Sequence, residues 1–372
     1  MVWLERYRVY VMARHEQVDA ALRDPDTYCS RRGVGLADFA REKPWRPPSL
    51  LLEADPPEHT RARGVVARAL SPRTVRELRA GFERDAADVV DALVARRTFD
   101  AVGDLAEAYP LRVFPDAIGL RDRTDRDNLL RYGNMVFNGF GPRNHLFAAA
   151  MADAEPVREW IAAQCRRESL RPDGLGAKIY AGADAGEVTE EEAALLVRSL
   201  LSAGVDTTVA SLGAALHCFA THPGQWALLR DDPALARAAF EEVLRYASPV
   251  QTFFRTTTTG VDVAGVPVPA GEKVLLFLGA ANRDPRQWGE DADSFDIRHR
   301  SAGHVAFGLG IHGCVGQAVA RLESEVLLTA LARRVRTIEL AGEPEVRLNN
   351  TMHGFAALPV RVTPQESQGG RE

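Results

Sequence analysis

The chain has 372 residues, 46% of them hydrophobic and 26% charged, with a formal net charge of -5. That mixture supplies a substantial core and excludes a disordered chain or a disulfide-stapled miniature. Acid outweighs base, and the basic side chains are nearly all arginine (Lys43, Lys178 and Lys273 are the lysines), so a nucleic-acid-binding protein has no electrostatic support.

The first residues carry Glu5, Arg6 and Arg8 and contain no apolar signal core. Tyr7 to Met12 alternates as a strand, and His15 to Arg23 has helical spacing. Lys43 to Pro57 holds Pro44, Pro47, Pro48, Pro56 and Pro57, which predicts a stiff non-helical loop. Helical periodicity returns over Pro57 to Leu70, Pro72 to Arg96, Leu105 to Gly119 and Asp153 to Glu168. Glycine-rich Arg171 to Gly186 reads as a mobile connector. It leads into Thr189-Glu190-Glu191-Glu192, a capping box. The helix begun there runs to about Thr221, before His222-Pro223, a length of about 48 Å at 1.5 Å per residue.

Further strands are predicted at Gln251 to Thr257, Val261 to Val263, Lys273 to Phe277 and Leu358 to Val362, and a last helix over Val315 to Val335. Strands so far apart in sequence must meet in space. The reading is therefore one mainly α domain over residues 1–372, with small peripheral sheets, a long central helix and a flexible tail over Gln365 to Glu372. Cys29, Cys165, Cys218 and Cys314 form no C-x-x-C pair, which speaks against a zinc site or disulfide framework and for a reducing compartment. No apolar stretch reaches a membrane span, because Arg198 interrupts the best candidate. The sequence reads as cytoplasmic.

The most informative segment is Phe307-Gly308-Leu309-Gly310-Ile311-His312-Gly313-Cys314-Val315-Gly316, directly before helix-forming sequence. Its glycines allow a tight loop whose backbone approaches a flat ligand. A cysteine at a helix N-terminus is drawn toward thiolate, which suits one axial bond to haem iron. Taken as an isolated cysteine, the more common reading is a buried structural residue in a glycine turn.

The complete segment resembles the haem-binding loop of cytochromes P450, F-x-x-G-x-x-x-C-x-G. In family order, three further stretches match. His59-Thr60-Arg61-Ala62-Arg63 resembles H-x-x-x-R, Ala203-Gly204-Val205-Asp206-Thr207-Thr208 resembles A-G-x-D-T-T, and Glu242-Val243-Leu244-Arg245 resembles E-x-x-R.

The resemblance implies a P450 fold holding haem b, with Cys314 as axial thiolate and Phe307, Gly308 and Gly316 shaping the loop around it. It implies that His59, Arg63, Arg255 and His312 partner the haem propionates. It further implies that Thr207 hydrogen-bonds dioxygen while Asp206 relays protons. Electrons must come from outside, which in this family means a [2Fe-2S] ferredoxin and an NAD(P)H-dependent ferredoxin reductase. Arginines near the cysteine loop and on the helix after Pro57 are its docking candidates.

Three stretches look like bacterial P450s that oxidise para-substituted benzoic acids: Lys43 to Glu53, Arg198 to Gly204, and Ser248 to Arg255. By that resemblance Arg46, Ser49, Ser199 and Ser202 surround a substrate carboxylate, with Arg198 behind them. Leu52, Phe137, Phe140, Ala203, Val250 and Phe253 clamp the ring. Ser199, Ala203 and Thr207, four apart, would share one helix face. Ser202 to Thr207 would span about 7.5 Å, comparable with about 6–7 Å from a benzoate carboxylate to its para substituent.

The activity implied is monooxygenation of an aromatic acid with O2, by O-demethylation or hydroxylation at the para position. Alternatives are action on another small hydrophobic acid (terpenoid or polyketide), a peroxide-using enzyme, and a haem-binding protein without turnover. Two departures stand out. The chain starts almost at its first strand, so by the resemblance either the family's N-terminal helix is missing or the start was chosen late. His299 stands where the family's arginine completes the Glu242–Arg245 brace, flanked by Arg298 and Arg300, so that either neighbour substitutes or the brace is weaker.

Overall fold

The computed structural model describes residues 1–366. Strands from distant parts of the chain pair in one five-stranded sheet, in the order Val2–Leu4, Val9–Met12, Lys273–Phe277, Thr252–Thr257, Tyr28–Cys29. Val9–Met12 runs parallel to Lys273–Phe277, and the other pairs are antiparallel. A second sheet orders Thr98–Asp100, Pro359–Pro364 and Val335–Leu340. The expected tail lies outside the described residues from position 367 onward. Gln365 itself is tied down, its amide and side chain donating to the carbonyls of Arg334 and Ala332, each at 2.7 Å.

The rest is helical. The Pro72–Arg96 helix starts at Ser71, whose side chain accepts from the Thr74 amide with Pro72 in the first turn. It packs along Gln317–Arg334. The predicted Leu105 to Gly119 helix is Ala108–Ile118, preceded by a π-helical segment, Ala101–Glu107, capped by Asp100. Gly119 closes it at φ +97, a left-handed conformation that favours glycine.

Two expectations are corrected. The glycine-rich connector is a helix, Leu175–Asp184. Its glycines answer tertiary crowding, since a Cβ on Gly176 would lie 2.7 Å from Leu170 Cδ1 and one on Gly182 2.7 Å from Val65 Cγ1. The long helix is two helices. The capping box forms as predicted, and Glu190–Ala203 is followed, after Gly204 and Val205, by Asp206–Thr221. Among the described residues this Glu190–Thr221 run is the one stretch long and apolar enough to cross a membrane, and most of it is packed inside the molecule.

The Glu242–Arg245 pair is fully buried, with Nη2 and Oε1 at 2.7 Å. His299 completes it, with Nδ1 3.1 Å from Glu242 Oε1, while Arg298 turns away to Asp296. Ser301, which sequence reasoning did not single out, donates to Glu242 Oε2 at 2.7 Å. Burial alone would raise the Glu242 carboxyl. Hydrogen bonds from Arg245, Ser301 and His299 hold it below its ordinary value.

Candidate active site

The cysteine loop folds back on itself. The Cys314 amide donates to the Phe307 carbonyl at 2.7 Å. Gly308 and Gly310 sit at φ +65 and +64, and a Cβ on Gly310 would meet the Leu22 carbonyl oxygen at 2.5 Å. The Arg321 guanidinium stacks 4.6 Å from the Phe307 ring centre. Phe307, Gly308, His312, Cys314 and Gly316 all retain accessible surface although Cys314 lies deep among protein atoms. The loop therefore lines internal space.

Burial raises the Cys314 thiol above its ordinary value, outweighing the amides of Gly316 and Gln317 and the charges of Arg63 and Arg321.

Beside the loop, His59 and His312 stack with ring centres 4.5 Å apart. His59 is 2% exposed, yet among the described residues neither ring nitrogen has a hydrogen-bond partner, nor does His312 Nε2. Burial, with His312 and Arg63 nearby, pushes the His59 imidazole down to about 4. Arg255 is buried, its side chain donates only to the Phe254 carbonyl among the described residues, and burial lowers it to about 10. Arg63 is likewise lowered by burial.

Buried polar groups are ordinarily paired, so this unpaired donor set fits an anionic ligand with two carboxylates, as haem carries. The one resident acid, Asp55, is held by the amides of Ser30 and Arg31 at 2.9 and 3.2 Å. Burial alone would raise Asp55. The nearby His312 and those amides bring it down to about 2.

The break between the two helices centres on Gly204, where a Cβ would lie 2.2 Å from Phe114 Cζ. Close approach of that ring explains the glycine. Thr207 Oγ1 donates to the Ala203 carbonyl at 2.7 Å and bridges the break. Ala203 is exposed here despite its central position in the run.

Asp206 is 2% exposed and seats against Gly133, where a Cβ would come within 2.7 Å of Asp206 Cβ. Its Oδ1 accepts from Arg347 Nη1 at 3.1 Å, and its Oδ2 has no partner among the described residues. Burial raises its carboxyl, and Arg347 opposes the rise. Arg347, on the Glu345–Arg347 strand, was invisible to sequence reasoning because no local pattern marks a lone arginine 141 residues away.

The proline loop does meet the serine-bearing helix. Ser49 Oγ and Ser199 Oγ are 3.1 Å apart, Ser199 also donates to the Leu195 carbonyl at 2.9 Å, and Ser202 to the Ser199 carbonyl at 3.1 Å. Arg46 and Arg198 are each 9% exposed. Arg46 already has a carboxylate: Glu53 Oε2 accepts from its Nη1 at 2.9 Å and from the Ser49 amide at 2.8 Å. Glu53 is a partner the sequence did not reveal. Arg198 donates to the carbonyls of Pro47 and Pro48 at 2.8 and 3.4 Å and has no carboxylate among the described residues. The cluster thus holds two buried guanidiniums against one carboxylate.

Phe137, Phe140 and Phe253 form a connected aromatic wall, with successive ring centres 5.8 Å apart. Leu52 and Val250 are half-buried against the same core. At its other end the proline loop reaches the cysteine loop, Leu51 O lying 3.0 Å from His312 Nδ1.

The cytochrome P450 family model matches residues 229–363. Cytochrome P450 CYP199A2 of Rhodopseudomonas palustris is 56% identical over 365 residues, covering 98% of this chain and 88% of that protein. The chain belongs to the cytochrome P450 family. Cytochrome P450 107B1 of Saccharopolyspora erythraea is 37% identical, over 95% of this chain and 89% of that protein.

Among solved P450 structures, a mutant of P450 EryK in complex with erythromycin B superposes with a TM-score of 0.82 at 31% identity, covering 99% of this chain and 94% of that one. Cytochrome P450 CREJ in complex with (4-ethylphenyl) dihydrogen phosphate gives 0.86 at 25%, covering 97% and 94%. As a P450 this is a monooxygenase with cysteine-ligated haem, using O2 and an external redox partner. It has the P450 fold expected of it.

Proposed function

We propose that this P450 oxidises para-substituted benzoic acids, with 4-methoxybenzoate as a representative substrate. The carrying observation is the buried cluster of Arg46, Arg198 and Glu53, with one positive charge in excess, bordered by the hydroxyls of Ser49 and Ser199. An uncompensated buried charge is costly, and a substrate carboxylate supplies the missing anion. Arg46, Ser49, Ser199 and Ser202 take that carboxylate, with Arg198 behind them. Leu52, Phe137, Phe140, Ala203, Val250 and Phe253 hold the ring and exclude water. The CREJ complex supports the same ligand logic, since its ligand is a para-substituted aromatic with an anionic head.

Cys314 would hold the haem iron as its thiolate ligand, and His59, Arg63, Arg255 and His312 would pair the propionates. The backbone around Phe307, Gly308 and Gly316 leaves room for a flat macrocycle. The haem, when bound, supplies O2 activation, with electrons from a [2Fe-2S] ferredoxin and its NAD(P)H-dependent reductase. Thr207 offers a hydroxyl at the helix break, and Asp206 holds or moves the proton that it needs.

The net reaction takes 4-methoxybenzoate, O2, two electrons and two protons to 4-hydroxybenzoate, formaldehyde and water. Turnover of the holoenzyme with a surrogate ferredoxin system should release the phenol and formaldehyde in equal amounts. NADH consumption without either product would overturn the substrate assignment.

A further inference from the structure

The two walls of the proposed ring site are tied to one turn. That turn, over residues 348–353, connects the paired strands Glu345–Arg347 and Gly354–Ala357. On one side it holds the end of the Asn128–Gly139 helix, which carries Phe137 and leads into Phe140. Asn350 Nδ2 donates to the carbonyls of Asn138 and Pro142 at 3.0 and 3.1 Å. The Asn350 amide donates to Asn138 Oδ1 at 3.1 Å, and Asn144 Nδ2 donates to Asn350 Oδ1 at 2.8 Å. Thr351 Oγ1 donates to the Phe137 carbonyl at 2.8 Å. The last carbonyls of a helix have no partners within it. Asn350, 212 residues from Asn138, therefore caps this helix from outside. Gly141 permits the approach, since a Cβ there would collide with the Asn350 side chain.

On its other side the turn holds the stretch that carries Val250 and Phe253. The Gln251 amide donates to the Thr351 carbonyl and the His353 amide to the Pro249 carbonyl, each at 2.8 Å. Between these bonds Val250 and Met352 pair as an isolated bridge. Asn138 and Thr351 are each 2% exposed, so water competes little for their bonds. Phe140 and Phe253, one from each wall, have ring centres 5.8 Å apart.

We infer that Asn350 and Thr351 are specificity-determining positioning residues. They fix the Phe137–Phe140 wall relative to the Val250–Phe253 wall, and so make the site reject benzoic acids substituted at the meta position. The inference rests on these walls holding the substrate ring. A para group lies on the axis that runs from the carboxylate through the ring. A meta group points aside, into a wall. Forcing extra atoms against a packed wall is costly unless the wall gives way. Here each wall is held through its backbone by hydrogen bonds to the same turn, which resists that yielding.

The test compares Asn350→Ala, which removes the cap, with Thr351→Val, which removes a hydroxyl at nearly constant volume, and Thr351→Ser, which keeps it. In the ferredoxin-supported holoenzyme, the kcat/KM preference for 4-methoxybenzoate over 3-methoxybenzoate should fall about tenfold in Asn350→Ala and about threefold in Thr351→Val. Thr351→Ser should match the wild type. The preference for the acid over its methyl ester should stay at the wild-type level in all three, because the lost bonds run to the ring walls and not to the carboxylate cluster. A merely structural role would weaken both preferences together.

Hydrogen exchange in substrate-free holoenzyme is the second readout. Asn350→Ala should speed exchange about tenfold over residues 134–144 and 249–254, and leave residues 105–118 unchanged. Faster exchange at one wall only would overturn the inference. So would a wild type that turns over both isomers equally, or an unchanged para preference in either folded variant. If Asn350→Ala does not fold, the contrast between Thr351→Val and Thr351→Ser decides. Failure of the substrate assignment shows separately, as absence of an optical response to 4-methoxybenzoate in the wild type, and the exchange experiment then still decides whether one turn fixes both walls.

Discussion

The Ser49 and Ser199 hydroxyl oxygens lie 3.1 Å apart across 150 residues of sequence, tying the proline-rich loop to the helix that leads to Asp206 and Thr207. Two residues further along that loop, Leu51 reaches His312 of the cysteine loop. One stiff segment therefore connects the proposed acid-recognising end of the site with the cysteine loop. In Ser199→Ala or Ser49→Ala a neutral hydrogen bond is lost, worth about 1 kcal/mol. Either variant should unfold at nearly the wild-type urea concentration while binding benzoic acids about five- to tenfold more weakly. Loss of stability without loss of acid affinity would make the serines structural.

Arg46 and Glu53 are both buried, with side chains 8% and 3% exposed. Arg46→Ala strands Glu53 and should cost about 3–5 kcal/mol of stability. The double variant Arg46→Met/Glu53→Gln removes both charges and should regain most of that loss. It keeps Arg198, so it should retain measurable acid binding. Urea denaturation of the three proteins checks the cycle.

Gly204→Ala forces a methyl group against Phe114, and overpacking of this kind costs about 1–3 kcal/mol. Adding Phe114→Leu should restore stability. Thermal unfolding of single and double variants decides whether the glycine serves that ring or a gap in the helix alone.

Acid stability should carry the signature of Asp55, whose carboxyl is lowered from 3.8 to about 2. A depressed carboxylate stabilises the fold above its unfolded value and loses that contribution as pH falls through its folded value. The wild type should therefore lose stability steadily between about pH 4 and about pH 2. Asp55→Asn should be less stable at neutral pH and show a flatter profile across that window. Parallel profiles for the two proteins would contradict the assignment.

Much of this site is legible in the sequence because its signals are local. Four glycines around Cys314, the Thr189 capping box and the spacing of His59 and Arg63 are each confined to a few residues, and the structure realises each element. What stayed hidden is long-range. Glu53 on Arg46, Ser301 on Glu242 and Arg347 on Asp206 are partners brought together only by the fold, and no periodicity announces them. The Leu175–Asp184 helix was obscured for a related reason: its glycines make room for Leu170 and Val65, and so imitate a loop. The helix break at Gly204 escaped because apolar periodicity runs straight through it, and the cause, Phe114, is distant in sequence.

The central claim is that a buried excess of positive charge selects a carboxylate and presents the opposite end of an aromatic ring for oxidation. Its most direct test is an optical titration of the ferric holoenzyme with 4-methoxybenzoate beside its methyl ester. The acid should produce a low- to high-spin shift, and the ester should bind at least about tenfold more weakly. Equal affinity for acid and ester would contradict it.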